Sequence, residues 1–324
     1  MPYIDASHYQ HELDRQALNT LKSTPGFMVF LEAFLNTYDE RAVSISAKSS
    51  YIEITSNQLS EYYEMVPPVC EKLGIEVPAL YLADDDGVKA YTMNEEAPII
   101  VISAGAVQNC SKDTTSVLLA RECGHIASHH VLYQTMGSLI VDGAAAVLPG
   151  ASGFLNVDLQ AAFLSWRRAG EHTADRAAAI ALGSADVVIN ALIELSGGWN
   201  SLGLDIDREL FIQQVAENEP LIREGAKNKV FEVLFHSLKG ERLFYAYRAL
   251  DLKRWCQLGE FENMQRFLRG EEVVNPASAS AEQANSDEET HPSAVKEGHY
   301  FCINCGASLK EGQRFCSSCG YKCE

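Results

Sequence analysis

Residues 121–125 read Arg-Glu-Cys-Gly-His, inside a stretch, 116–133, whose residues Val117, Ala120, Cys123, Ala127 and Val131 recur at spacings of three and four. That period predicts a helix with one buried apolar stripe. The five residues differ at one position from His-Glu-x-x-His. In that motif two histidines at i and i+4 share a helix face and bind zinc, and the glutamate between them activates water. Glu122 and His125 are in place, but Arg121 stands where the first ligand belongs and has no lone pair to donate to a metal.

Further along, Glu171-His-Thr-Ala-Asp175-Arg176 opens a second, alanine-rich helix expected over 171–196, with Gly197-Gly198 as its stop. Its carboxylates at i and i+4 point the same way. One suits a third metal ligand and the other a partner that holds a ligand side chain in place.

With these residues the chain resembles peptidase family M48, whose members include the heat-shock protease HtpX and the CAAX prenyl protease. The resemblance covers roughly residues 60–256. It rests on the 121–125 motif, on Glu171-x-x-x-Asp175-Arg176, on Pro98-Ile-Ile-Val-Ile-Ser-Ala-Gly105 as an active-site edge strand, and on Tyr247-Arg248-Ala-Leu. It implies an α+β, mainly α, gluzincin-like metallopeptidase domain. It also implies Glu122 as the general base, His125 and Glu171 as zinc ligands, and Asp175 as the residue that orients the first ligand. Two positions depart from the family: Arg121, and Arg242-Leu243 where relatives carry a His-Pro pair six residues ahead of the arginine matching Arg248.

A guanidinium about 4 Å from a divalent ion, in an effective dielectric of about 20, is repelled by about 8 kcal/mol. Half of that weakens binding roughly a thousandfold. Tight catalytic zinc is therefore not expected unless Arg121 swings away, and Asp175 offers it a bidentate carboxylate. A competing expectation makes His129, at i+4 from His125, a substitute ligand. His172 is expected to face elsewhere and to serve packing or the surface.

The last residues hold a separate signal. Cys302-x-x-Cys305-Gly306 and Cys316-x-x-Cys319-Gly320, ten residues apart, have the spacing of a tetrahedral structural zinc site. The unit from 299 to 324 is read as a zinc ribbon that folds on its metal, with Cys323 a spare thiol. Residues 271–298, rich in Ala, Ser, Glu and Pro, read as a disordered tether. Cys70, Cys110, Cys123 and Cys256 read as small buried residues.

The formal charge of −18 over 324 residues argues against nucleic acid or other polyanions as partners. The N-terminus shows no basic start followed by an apolar run, which leads to the expectation of a cytoplasmic protein. The apolar region from Met136 to Leu164 is broken by Asp142, Pro149, Asn156 and Asp158. It falls short of the roughly 18 apolar residues that a spanning helix needs and is read as a buried hairpin.

The remaining expectations are helices over 8–22, 26–40, 57–74 (split at Pro67-Pro68), 206–217, 226–238 and 242–257, and a β-meander of 78–83, 88–93 and 98–104. The domains are then a helical cap over 1–56, a metallopeptidase-like domain over 57–270, the tether and the ribbon. Three functional expectations follow. The first is a pseudopeptidase that binds polypeptides, with the ribbon docking on a protein partner. The second is an active zinc metalloendopeptidase with a substitute ligand such as His129. The third is a ribbon-based nucleic-acid or protein adaptor.

Overall fold

The structure, a computed structural model, describes residues 2–141, 156–197, 204–217, 233, 244–271, 300–301 and 308–309. The N-terminal region folds into α1 (Glu12–Ser23), α2 (Phe27–Thr37) and α3 (Glu40–Ser50), followed by strand β1 (Ile52–Ile54). His11 caps α1, its Nδ1 accepting from the Leu13 N–H at 3.0 Å, and Asp39 caps α3. Both caps satisfy amides that a helix start leaves without intrahelical partners. The proline doublet divides the next segment into α4 (Ser60–Tyr63) and α5 (Pro67–Leu73), with Pro67 at the first helical position, where its missing N–H costs nothing.

The three expected strands form as β2 (Ala79–Ala83), β3 (Ala90–Met93) and β4 (Ile99–Ser103), but they are not a meander. The sheet order is β1-β2-β4-β3, with β2 and β4 parallel and β4 inserted between β2 and β3. The reason lies in β4, which is buried at every position. A strand apolar on both faces belongs in the interior of a sheet. β3, which alternates the exposed Tyr91 with the buried Thr92, takes the edge.

The helices that follow are α6 (Ala104–Asn109), α7 (Lys112–Ala127), α8 (Val131–Val141), α9 (Val157–Leu182), α10 (Ala185–Leu195), α11 (Arg208–Ala216), α12 (Tyr245–Gln257) and α13 (Glu260–Leu268). The helix expected over 171–196 is in fact α9 and α10. Asn156 caps α9 upstream of the alanine-rich part, Gly183 ends it in the left-handed region at φ 74°, and Ser184 caps α10. The expected helix over 226–238, Arg242, the 142–155 turn of the apolar hairpin and the 272–298 tether lie outside the described residues, apart from the single helical position 233.

Helices α7 and α9 pack face to face through Gly124, where an added Cβ would stand 2.6 Å from the Ala177 Cβ. That close approach draws the polar residues of the two helices within bonding distance. One core, including Leu80, Ile100, Val117, Ala120, Ala178 and Trp255, surrounds this contact. A second, aromatic core joins α1 and α2 to α8 and α9 through Phe27, Phe30, Phe34, Tyr133, Phe163 and Trp166. Each such side chain contributes about 1.5–3 kcal/mol on leaving water. The N-terminal helices are thus integral to the core.

No helix among the described residues is long and apolar enough to cross a membrane. The chain divides into two units, Met1–Glu271 and Glu272–Glu324. In the second, β5 (Tyr300–Phe301) pairs antiparallel with β6 (Ser308–Leu309). Cys302, Cys305, Cys316, Cys319 and Cys323 lie outside the described residues.

Candidate active site and its charge cluster

Three helices deliver the site. α7 contributes Arg121, Glu122 and His125, all buried. α9 contributes Glu171 and Asp175, one turn apart, and α12 contributes Arg248. Asp175 accepts two hydrogen bonds from Arg248, from Nε at 2.7 Å to Oδ2 and from Nη2 at 2.6 Å to Oδ1. Arg248 reaches Glu171 as well, with Nη1 3.0 Å from Oε2. Arg121 donates from Nη2 to Glu171 Oε2, while its Nε lies 3.0 Å from Asp175 Oδ1 without hydrogen-bond alignment. The expected bidentate pair on Asp175 therefore forms with Arg248. Arg121 is drawn instead to Glu171, the carboxylate expected as a ligand, because Arg248 already fills the fork on Asp175.

The electrostatics follow from this geometry. Burial alone would raise the Glu171 pKa, but Arg121, then Arg248, hold it well below the usual carboxylate range. Burial likewise opposes the charge on Arg248, and Asp175 and Glu171 outweigh it, so its pKa is raised. Two guanidiniums and two carboxylates cancel inside this cluster. A divalent cation would have to compete with Arg121 for Glu171 Oε2, to which the guanidinium is already bonded.

Glu122 sits beside the cluster, its Oε2 accepting a 2.8 Å hydrogen bond from the Thr92 hydroxyl on edge strand β3. His125 Nε2 faces Glu171 Oε1 at 3.6 Å, and its Nδ1 lies 3.0 Å from His130 Nδ1. His130 Nε2 in turn contacts Asp14 at 3.0 Å. Asp14 comes from α1 and is fully buried. The N-terminal region, expected as a helical cap, thus reaches the site. The only sequence signal for it is an aspartate on the inner side of an amphipathic helix.

His129, expected as a possible substitute ligand, points away from His125 and Glu171 in this structure. Helix α7 stops at Ala127, His129 adopts φ 54°, and its ring turns outward to Glu95 Oε1 at 3.0 Å. The i+4 relation to His125 lapses where the helix ends. Cys70 and Cys123 are buried, with their sulfurs 3.9 Å apart, while Cys110 and Cys256 are partly exposed.

His172, next to Glu171, faces a different cluster. Its Nδ1 is 3.3 Å from Asp251 Oδ2, and His11 Nε2 is 3.0 Å from Asp251 Oδ1, so ligand atoms of all three lie within 4.8 Å of one another. This spacing would suit a metal, but the protons oppose one. His11 Nδ1 accepts from the Leu13 amide, so in neutral His11 the proton is on Nε2 and points at Asp251. Arg176 Nη2, 3.7 Å from the same carboxylate, adds a fixed cation. The cluster reads as a hydrogen-bonded latch between the start of α1, α9 and α12.

Comparison with known proteins identifies the family. The model of the peptidase family M48 matches residues 60–296, and that of a zinc-ribbon domain matches residues 301–322. The plastoglobule-localized metallopeptidase 48, chloroplastic, of Arabidopsis thaliana is 26% identical over 271 residues, covering 81% of this chain and 76% of that protein. Protease HtpX of Yersinia pestis is 27% identical over 143 residues, 41% of this chain and 48% of that protein. A protease HtpX homologue of Gemmatimonas aurantiaca is 28% identical over 87 residues, 26% of this chain and 31% of that protein. The chain thus spans less than half the length of these two HtpX proteins. No solved structure matches. With its motif helix, the facing Glu171 and Asp175, and a family match over most of its length, the chain belongs to peptidase family M48, zinc-dependent proteases of polypeptides, and carries a C-terminal zinc-ribbon domain.

Proposed function

We propose that this chain is a pseudopeptidase, a member of its family that binds polypeptides without cleaving them. The observation that carries this reading is the guanidinium of Arg121 on Glu171. The zinc of the family does not fit these residues as they stand. One ligand is replaced by a cation, a second is engaged by that cation, and the local charges already cancel.

The features that would hold a substrate chain remain. Edge strand β3 pairs only with β4 among the described residues, leaving its outer side for an added strand. Thr92 and Glu122 stand behind it. In this reading the ribbon, held by zinc at Cys302, Cys305, Cys316 and Cys319, docks on a protein partner. The net charge of −18 disfavours nucleic acid in that role.

The test uses the full chain with fluorescently labelled, reduced and carboxymethylated lactalbumin in zinc-containing buffer. Saturable binding is expected, with no new fragments after prolonged incubation and the same affinity in Glu122→Gln. Zinc-dependent fragments that vanish in Glu122→Gln would overturn the reading.

A further inference from the structure

We propose that Glu40 and Asn94 are positioning residues for the polypeptide-binding edge, holding strand β3 extended and ready to receive an added strand, a role that rests on the polypeptide-binding reading. Among the described residues β3 has a neighbour on one side only, β4. A strand paired on one side is the part of a sheet most prone to local opening, and its end frays first. An added strand needs that row of amides and carbonyls already in line, because any ordering left to the moment of binding subtracts from affinity.

The turn that follows β3 is fastened from two directions. Helix α3 packs on the sheet through Ala47, against Tyr81 and Val101. From there the Glu40 carboxylate accepts from three successive amides. Its Oε1 takes the Glu95 N–H at 2.7 Å, and its Oε2 takes those of Glu96 at 3.2 Å and Ala97 at 3.4 Å. Successive amides turned onto one anion form a backbone nest. Glu40 is free for this task because Asp39 already caps α3. From the second direction, the Glu95 carboxylate accepts from the Leu132 N–H of α8 at 3.1 Å.

Asn94 opens the turn at φ 65° and is buried. Its Nδ2 donates to the Glu40 carbonyl at 3.1 Å and to Ser44 Oγ at 3.0 Å, and its Oδ1 accepts from the Tyr38 hydroxyl at 3.1 Å. The Glu40 carbonyl can only accept, which fixes the end of the amide that faces α3. Glycine would meet the left-handed backbone equally well, so what asparagine adds is the side-chain tie to the N-terminal helices. Two residues earlier in β3, Thr92 donates to Glu122. The clamp thus also sets where the edge stands against α7.

The experiment is amide hydrogen exchange read by mass spectrometry, together with binding of the labelled lactalbumin, on the full chain and on Glu40→Ala, Asn94→Gly and Ile45→Ala. Ile45 is exposed on the same helix and serves as the control. Exchange over residues 90–97 is expected to be about 10–100-fold faster in Glu40→Ala, the effect of losing a hydrogen bond to a charged acceptor. A smaller increase is expected in Asn94→Gly. Exchange over 112–127 should stay unchanged in both, and both should bind lactalbumin several-fold more weakly, while Ile45→Ala matches the unaltered chain. Unchanged exchange over 90–97 in folded Glu40→Ala, or faster exchange with unchanged affinity, overturns the proposal. Failure of the unaltered chain to bind lactalbumin overturns the polypeptide-binding reading instead, and the exchange data then decide whether the clamp holds the strand. Should Glu40→Ala not fold, Asn94→Gly, which keeps the backbone conformation, carries both readouts.

Discussion

Arg121 and His125 lie one turn apart on α7, both face Glu171, and their surroundings have opposite chemistry. Around Arg121 two guanidiniums pair with two carboxylates in a buried cluster, with only Arg121 Nε lacking an aligned hydrogen bond among these contacts. Around His125 a chain of hydrogen bonds from Asp14 through His130 leaves one nitrogen facing Glu171 without a bond to it. The difference teaches that losing a metal ligand is more than losing a bond. In the proposed reading the guanidinium of Arg121 supplies charge that a metal would have brought, while His125 faces Glu171 from the other side of the site.

The comparison can be broken most forcefully at Arg248. Replacing it with methionine removes the fork on Asp175 and leaves two buried carboxylates to one guanidinium, a loss expected to cost about 3–5 kcal/mol. Arg121→Met should cost distinctly less, because Arg248 still spans both carboxylates. Urea unfolding of the two variants measures this. Equal losses would mean that Arg121 is as much a part of the structural cluster as Arg248.

A smaller effect sharpens the other half. Trp166→Phe keeps a ring in the aromatic core but removes the indole donor to Asp14, and is expected to cost about 1.5–3 kcal/mol, the range for a hydrogen bond to a charged group. Thermal unfolding followed by circular dichroism checks it. A loss below about 0.5 kcal/mol would show that Asp14 finds its stabilisation elsewhere.

How much of this was legible in the chain differs by distance along it. The face shared by Glu122 and His125, and that shared by Glu171 and Asp175, could be read from helical spacing, because spacing within one helix fixes which side chains meet. The family resemblance brought the two faces together. Asp14 could not be found that way: its partners Trp166 and Thr173 lie more than a hundred residues on, and no local pattern encodes that meeting. His130 was hidden by the end of α7, where the positive φ of His129 sends that ring outward and lets the next one return to His125. The insertion of β4 between β2 and β3 is signalled by its unbroken Ile-Ile-Val-Ile run, which indicates burial on both faces, whereas chain order alone suggests a meander. The early start of α9 at Val157 was missed because its alanine-rich signal begins only near Glu171.

In the proposed reading Arg121 is the decisive obstacle to a metal at this site, and the most direct measurement is zinc content per full-length chain after purification in zinc-containing buffer and removal of free metal. The unaltered protein is expected to hold one zinc, in the ribbon, with Cys302→Ser plus Cys305→Ser lowering it to none and Arg121→His raising it to two. Two zincs in the unaltered protein, or one in a folded Arg121→His variant, would contradict the account.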